Sequence, residues 1–296
     1  MSTLEEFDAV RPRLFAIAYR MLGTMTDAED ALQEAWLRWS QTDRAAVQSA
    51  EAFLTSVVTR LCIDQLRSAR ARREHYVGPW LPEPLVGKQA EPTAELADSL
   101  SMAFLVILES LSATERAVFL LHDVFGYSFA EVAEIVGETE VNCRQIARRS
   151  RQRIHNRRPR FPVDARRQEA LAAEFFAACI SGDLDRLKGV LAEDVVTESD
   201  GGGLVPAARK PIVGADRVAR FLTGVYRKAP AGMQFVSTYV NGQPGGILSW
   251  EGKPITIYSL DIIGDRVQGI FIIRNPEKMR HLMALPAPAP ASAPPQ

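Results

Sequence analysis

The sequence predicts a multidomain chain in which two all-α segments precede an α+β domain, and three observations carry that expectation. Helical periodicity runs through residues 4–75 and resumes at 94, and Gly78, Pro79, Pro82, Pro84, Gly87 and Pro92 break it in between. Period-two apolar alternation appears only beyond Pro159 and Pro162, over 233–240, 255–262 and 267–273. The length of 296 residues suits two or three domains, and 47% hydrophobic residues are enough to build their cores. The predicted boundaries are 1–75, a linker over 76–95, 96–160, 164–282, and a tail over 283–296.

Each element follows from local signals. Leu14, Ile17, Ala18, Met21 and Leu22 keep helical spacing until Gly23 stops it. Thr26 is the expected N-cap of the next helix. Glu29 follows at capping-box spacing, and Asp27 and Asp30 lie in the first turn, where the helix dipole favours acids. That helix continues through Leu32, Ala35, Trp36 and Trp39, and a polar loop over 41–49 leads to a third helix over 50–73. Ser112 and Glu115 mark another capped start, Gly126 its end, and 129–136 a short helix closed by Gly137. In the last third the expected order is a helix over 165–180, a helix over 184–191, a strand, a helix over 215–226, and then the several strands. Alternation in 255–262 predicts a half-buried antiparallel strand. The proline- and alanine-rich end, 286–296, predicts a disordered tail.

Charge distribution says more than net charge, which is -1. Residues 144–160 hold eight arginines and no acid, directly after the short helix and its glycine turn. A helix, a tight turn and a basic helix together indicate a unit that reads DNA. On a helical wheel Cys143, Ile146, Ala147, Ser150 and Ile154 share an inward face, toward Leu120, Val132 and Ile135. Asn142, Arg144, Gln145 and Arg148 then lie where base edges can be reached. Arg149, Arg151, Arg153 and the later arginines, 157, 158 and 160, are suited to phosphates. A second basic helix end, 60–73, sets Asp64 against five arginines, near the aromatics Trp36, Trp39, Phe53 and Tyr76, which suit unstacked bases.

Other functions find less support. Three widely spaced cysteines, Cys62, Cys143 and Cys179, argue against a disulfide framework or a zinc site. The acidic N-terminus is not a signal peptide, and no apolar run reaches the length of a membrane span, so a cytoplasmic protein is expected. Isomerase-type chemistry in the C-terminal domain would draw on Asp200, Asp261, Tyr239 and Tyr258, but an aspartate before three glycines reads more simply as a tight turn. No catalytic residue, metal site or cofactor is expected.

The segment 26–38, Thr-Asp-Ala-Glu-Asp-Ala-Leu-Gln-Glu-Ala-Trp-Leu-Arg, resembles region 2.2 of extracytoplasmic-function sigma factors of the sigma-70 family. Residues 51–67 resemble the regions that melt and read the minus-ten promoter element. Leu111-Ser-Ala-Thr-Glu-Arg116 and the helix-turn-helix resemble region 4, which reads the minus-thirty-five element. The resemblance implies an RNA polymerase sigma factor whose partners are promoter DNA and the polymerase core, through its β′ and β subunits. Asp27, Glu29, Asp30, Gln33 and Trp36 would contact the core at the β′ clamp helices. The loop over 41–49 would capture a flipped base, and Arg60, Asp64 and Arg67 would line the promoter duplex. Arg60 replaces a frequent asparagine of the family and Ile146 a frequent arginine.

Three further segments are similar to marks of sigma factors with a fused SnoaL-like extension: Trp80-Leu-Pro82-Glu83-Pro84, Asp200-Gly201-Gly202-Gly203, and Asn275-Pro276-Glu277-Lys278-Met279. They imply a cone-shaped α+β domain that regulates in cis and could hold a small ligand that the sequence does not name. Two alternatives remain open at this point. One is a helix-turn-helix regulator independent of polymerase, which would not need the 26–38 segment. The other is a SnoaL-like enzyme or ligand sensor fused to a DNA-binding module.

Overall fold

The computed structural model describes residues 2–73, 76–87, 96, 99–155 and 164–284. The expected tail beyond 284 and the arginines 157, 158 and 160 lie outside the described residues, as do the side chains of Arg70, Arg72 and Arg73. The described chain has the expected class: an all-helical N-terminal part, then an α+β domain.

The helical part comprises α1 (Thr3–Leu22), α2 (Met25–Gln41), α3 (Ala50–Arg73), α4 (Met102–Leu108), α5 (Ala113–Phe119), α6 (Phe129–Val136) and α7 (Glu140–His155). Gly23, at φ 76°, ends α1 as expected. The cap of α2 is Thr24 rather than Thr26: its backbone is extended and its side chain accepts from the Asp27 amide. The expected capping box at Ser112/Glu115 forms, and Ser128 with Glu131 makes a further one at the start of α6. A π-helical turn, Leu120–Val124, follows α5 and carries the chain toward Gly126.

One buried apolar cluster runs from Phe7 in α1 to Ile154 in α7, so the two helical segments share a core. The predicted inward face of α7 (Cys143, Ile146, Ala147, Ser150 and Ile154) is buried in full. Three of the expected base-handling aromatics belong to this packing. Trp39 is buried against Phe53, and Trp36 meets Phe7 edge to face at 5.2 Å. All three cysteines are buried and free, and burial raises their thiol pKa, that of Cys179 to about 12.

The C-terminal domain sets α8 (Ala165–Ser181), α9 (Leu184–Val190) and α10 (Ala215–Arg227) on one face of a six-stranded sheet ordered β2-β1-β6-β5-β4-β3. The strands are β1 (Leu191–Asp200), β2 (Ile212–Val213), β3 (Gln234–Val240), β4 (Gln243–Trp250), β5 (Lys253–Ile263) and β6 (Arg266–Ile273). The β1–β6 pair is parallel and the others are antiparallel. The one strand expected between α9 and α10 is present as β1, which carries four acids and so shows no clear alternation; periodicity missed β4, which opens Gln-Pro-Gly-Gly. The two glycines of β4 are steric: a Cβ at Gly245 would lie 2.2 Å from the Tyr258 carbonyl oxygen, and one at Gly246 would lie 2.3 Å from the Phe235 ring.

The half-buried strand expected over 255–262 is instead covered on both faces. Tyr258, Leu260 and Ile262 pack under the helices. Ile257, Phe271 and Ile273 form a second layer with Leu81, Met102, Ala103, Met279 and Leu282. Helix α4, Met-Ala-Phe-Leu-Val-Ile-Leu, is apolar all round because it lies between the two cores.

Candidate docking site and nucleic-acid interface

The proline-rich segment 76–87 is an extended strap laid between the sheet and α1, and three motifs converge on it. Asp200, at the end of β1, is fully buried. Its Oδ1 accepts from Tyr76 Oη at 2.6 Å and from the Gly202 amide at 2.9 Å; its Oδ2 accepts from the Leu81 amide at 2.9 Å and from Lys278 Nζ at 2.6 Å. These four donors match a carboxylate's acceptor capacity, so the burial of its charge is compensated. Lys278 also donates to the Leu81 carbonyl, and its ammonium sits 4.1 Å from the Trp80 ring centroid. Burial, then the hydrogen bond to Asp200, raises the Tyr76 phenol pKa, which keeps it a donor. Tyr76 is therefore part of this clamp and not a base platform, and Asp200 is more than the turn residue that its glycines suggested.

The glycines after Asp200 let backbone and partners close in. A Cβ at Gly202, whose φ is 61°, would lie 2.4 Å from Asn275 Nδ2; one at Gly201 would lie 2.4 Å from the Val205 carbonyl oxygen. Gly203 packs under Val77 of the strap. Asn275 Nδ2 donates to Tyr76 Oη at 3.0 Å, and the Asn275 amide donates to the Asp200 carbonyl at 2.9 Å. Pro276 and Glu277 then begin a 3-10 turn (Pro276–Ala284) that carries Lys278 and Met279 inward, and the Glu277 amide is capped by Asn275 Oδ1.

Further along the strap, Pro82 packs on Gly23 beside Trp80, and Glu83 is bonded three ways. Its amide donates to the Gly23 carbonyl, its carbonyl accepts from Tyr19 Oη at 2.6 Å, and its carboxylate accepts from the Met25 amide at 2.7 Å, at the start of α2. After Pro84, Asn241 joins the same network from the β3–β4 turn. Its amide and Oδ1 pair with the backbone of Leu85, and its Nδ2 donates to Tyr19 Oη at 2.7 Å and to the Leu100 carbonyl. Sequence reasoning passed over Asn241, because Asn-Gly between two strands signals only a hairpin turn. Its φ of 52° fits that signal, and its complete burial is a tertiary fact.

The basic helix α7 is outward-facing, with Arg144, Gln145, Arg148, Arg149 and Arg153 exposed and Asn142 and Arg151 half-buried. The arginines are less uniform than their run suggested, since acids fold onto them. Arg144 pairs with Glu140 at 2.8 Å, Arg151 with Asp123 at 2.6 Å and Arg153 with Glu115 at 3.0 Å, and Asn142 donates to Glu138. Arg148 forms no ion pair or hydrogen bond with a described residue.

On α3, Asp64 and Arg67 are exposed and lie 3.7 Å apart. Arg60 is exposed too, but it is bonded to protein. Its guanidinium donates at 2.9 Å to the carbonyls of Glu134 and Ile135, the C-terminal end of α6. The two helical segments are further tied through Tyr127, whose hydroxyl meets Arg13 and Thr55.

On α2, Asp30 and Gln33 are exposed beside Leu37. Glu29 pairs with Arg11 at 2.6 Å, Asp27 accepts from Thr24 and from Gln65 at 2.6 Å each, and Trp36 is half-buried. The structure thus brings these five predicted residues onto one helix but leaves only Asp30 and Gln33 exposed and without an ion pair or hydrogen bond to a described residue.

A helix-turn-helix with a basic second helix, following a helical bundle whose second helix carries the 26–38 segment, directs the comparison with known proteins. The family description Sigma-70 region 2 matches residues 7–72, and Sigma-70, region 4 matches 101–154. The ECF RNA polymerase sigma factor SigJ of Mycobacterium tuberculosis is 37% identical, over 93% of this chain and 92% of that protein. The chain is an ECF RNA polymerase sigma factor. The probable sigma factor SigI of the same organism is 31% identical over 93% of this chain and 94% of its own length. The crystal structure of SigJ superposes with a TM-score of 0.75 at 34% identity, covering 93% of this chain and 98% of that one, so the likeness extends through the α+β domain.

Three of the residue types that the C-terminal domain of this sigma factor offered for catalysis have other surroundings. Asp200 is held in the strap clamp and Tyr239 donates to Glu169; Tyr258 lines the space under α10, where no carboxylate joins it in the lining. Among the described residues no group of three or more His, Cys, Asp or Glu comes together as a metal site, and no helix is long and apolar enough to cross a membrane.

Proposed function

We propose that this sigma factor engages the polymerase core through the exposed face of α2, reads promoter DNA with α3 and α7, and uses its C-terminal domain as a built-in regulator of how the two helical segments are disposed. The domain division is a minus-ten unit over 1–75, a linker over 76–95, a minus-thirty-five unit over 96–160 and a regulatory domain over 164–282. The observation that carries the regulatory reading is the buried Asp200–Lys278 pair closing on Tyr76 and Leu81. The linker's described part, 76–87, is thereby joined to the C-terminal domain's core, and the linker's freedom to set the distance between the two DNA readers depends on that core. The absence of a carboxylate, histidine or cysteine among the residues lining the domain's cavity favours a regulator over an enzyme. No cofactor is required, and the protein works in the cytoplasm beside its polymerase.

Arg60 belongs to the same reading. While it holds the end of α6 it is not available to a promoter phosphate, so this arrangement is a closed form that opens on the polymerase. Run-off transcription tests the regulatory role. Lys278→Met should change promoter output by the full chain with reconstituted polymerase; output equal to the unsubstituted chain across several promoter spacings sinks it.

The core-binding face has its own test. Asp30→Ala combined with Gln33→Ala removes two exposed groups that hold nothing in place, so the thermal midpoint should stay within about 2 °C. Co-purification with core polymerase should fall several-fold. Undiminished association contradicts the assignment.

A further inference from the structure

Between α10 and the sheet lies a cavity of about 430 Å³ whose chemistry is one-sided. Its walls are mainly apolar, with Phe221, Leu222, Met233 and Leu248 among them. Two cations line it, Lys228 and Arg274, and no acid does. Its lining includes Ser199, a residue only 2% exposed, whose hydroxyl is buried with no hydrogen-bond partner. The buried Tyr226 hydroxyl belongs to the same lining, beside Tyr258. Leaving a hydroxyl unpaired costs stability, so at Ser199 the fold maintains a donor that gains nothing internally. The hydroxyl is closed to solvent in this conformation, and a rotation of the side chain would turn it toward a ligand's oxygen.

We infer that this cavity binds a small apolar carboxylate, with the acid group at Arg274 and Ser199 and the apolar body under α10. The volume suits a one- or two-ring acid or a medium-chain one. A guanidinium facing a carboxylate selects the anion over a neutral molecule of equal shape. No carboxylate, histidine or cysteine lines the cavity to act on a held ligand.

The position of this polar end makes binding consequential. Arg274 donates its side chain to the Pro206 carbonyl, and its amide donates to the Asp200 carbonyl at 2.7 Å. Pro206, Ala207 and Ala208 form part of the cavity wall, and Gly203 in the same loop packs under Val77 of the strap. A carboxylate that draws Arg274 away from Pro206 therefore acts on the loop that carries the clamp. This coupling rests on the regulatory role proposed above; the binding site itself does not.

Calorimetry on the full chain separates the two, using 1-naphthoate as the anion and 1-naphthalenemethanol as the neutral match. Naphthoate should bind at least about tenfold more tightly. Arg274→Gln should remove the difference. Ser199→Ala should weaken naphthoate binding while leaving the thermal midpoint unchanged or raised, since it deletes an unpaired hydroxyl; a purely structural serine would not show that split. Failure of both compounds to bind overturns the site, as does equal binding of both or naphthoate binding unaffected by both substitutions. Saturating naphthoate should also alter hydrogen exchange of the Leu81 amide. Tight binding with unchanged Leu81 exchange would keep the site and reject the coupling.

Discussion

Asp200→Ala should cost about 3–5 kcal/mol, the largest loss expected from a single substitution outside the apolar cores. The reason is what stays behind. Lys278 remains buried beneath Trp80 with its carboxylate partner gone, and Tyr76 Oη, the Leu81 amide and the Gly202 amide all lose their acceptor. Asp200→Ala together with Lys278→Met should cost less than Asp200→Ala alone, because replacing both charges removes the stranded ammonium. Denaturant unfolding of the three chains measures this, and hydrogen exchange at Leu81 and Asn275 reports whether the strap is freed first. A loss under about 1 kcal/mol for the single change contradicts a buried, compensated ion pair.

Arg148→Ala should weaken promoter binding by about 1–3 kcal/mol if Arg148 reads a base, and relax preference at one position of the minus-thirty-five element. Arg148 is chosen because its guanidinium is free among the described residues, whereas Arg144, Arg151 and Arg153 must first leave Glu140, Asp123 and Glu115. Arg151→Ala should accordingly cost less. Titration of labelled duplexes at several salt concentrations discriminates the roles. An equal loss on every sequence, with the salt slope reduced by about one, makes Arg148 a phosphate contact.

The helical half was legible because its signals are local. A Ser–Glu capping box, a glycine in the left-handed region and a 3.6-residue apolar period each act within a few residues, so Ser112, Gly126, Gly137 and the inward face of α7 could be read without a fold. Where two local signals competed, at Thr24 and Thr26, the chain's extended entry decided for Thr24. β4 and the bounds of β1 were hidden because their burial is not periodic. Charged residues line β1, and Gly245 and Gly246 read as a turn until Tyr258 and Phe235 are seen lying against them.

By itself the sequence determined the order of helical and α+β segments, the basic helix after a glycine turn, the segment that marks a sigma factor and three motifs that resemble marks of its extension. Only the tertiary structure decided what those motifs hold together. A carboxylate's cost of burial depends on which donors surround it, and the donors to Asp200 come from Tyr76, Leu81, Gly202 and Lys278, up to 124 positions away. The same holds for Arg60, whose sequence context resembles a promoter-reading segment and whose guanidinium in the folded chain bonds the end of α6. Charge and spacing are properties of the chain; the partner that satisfies a charge is a property of the fold.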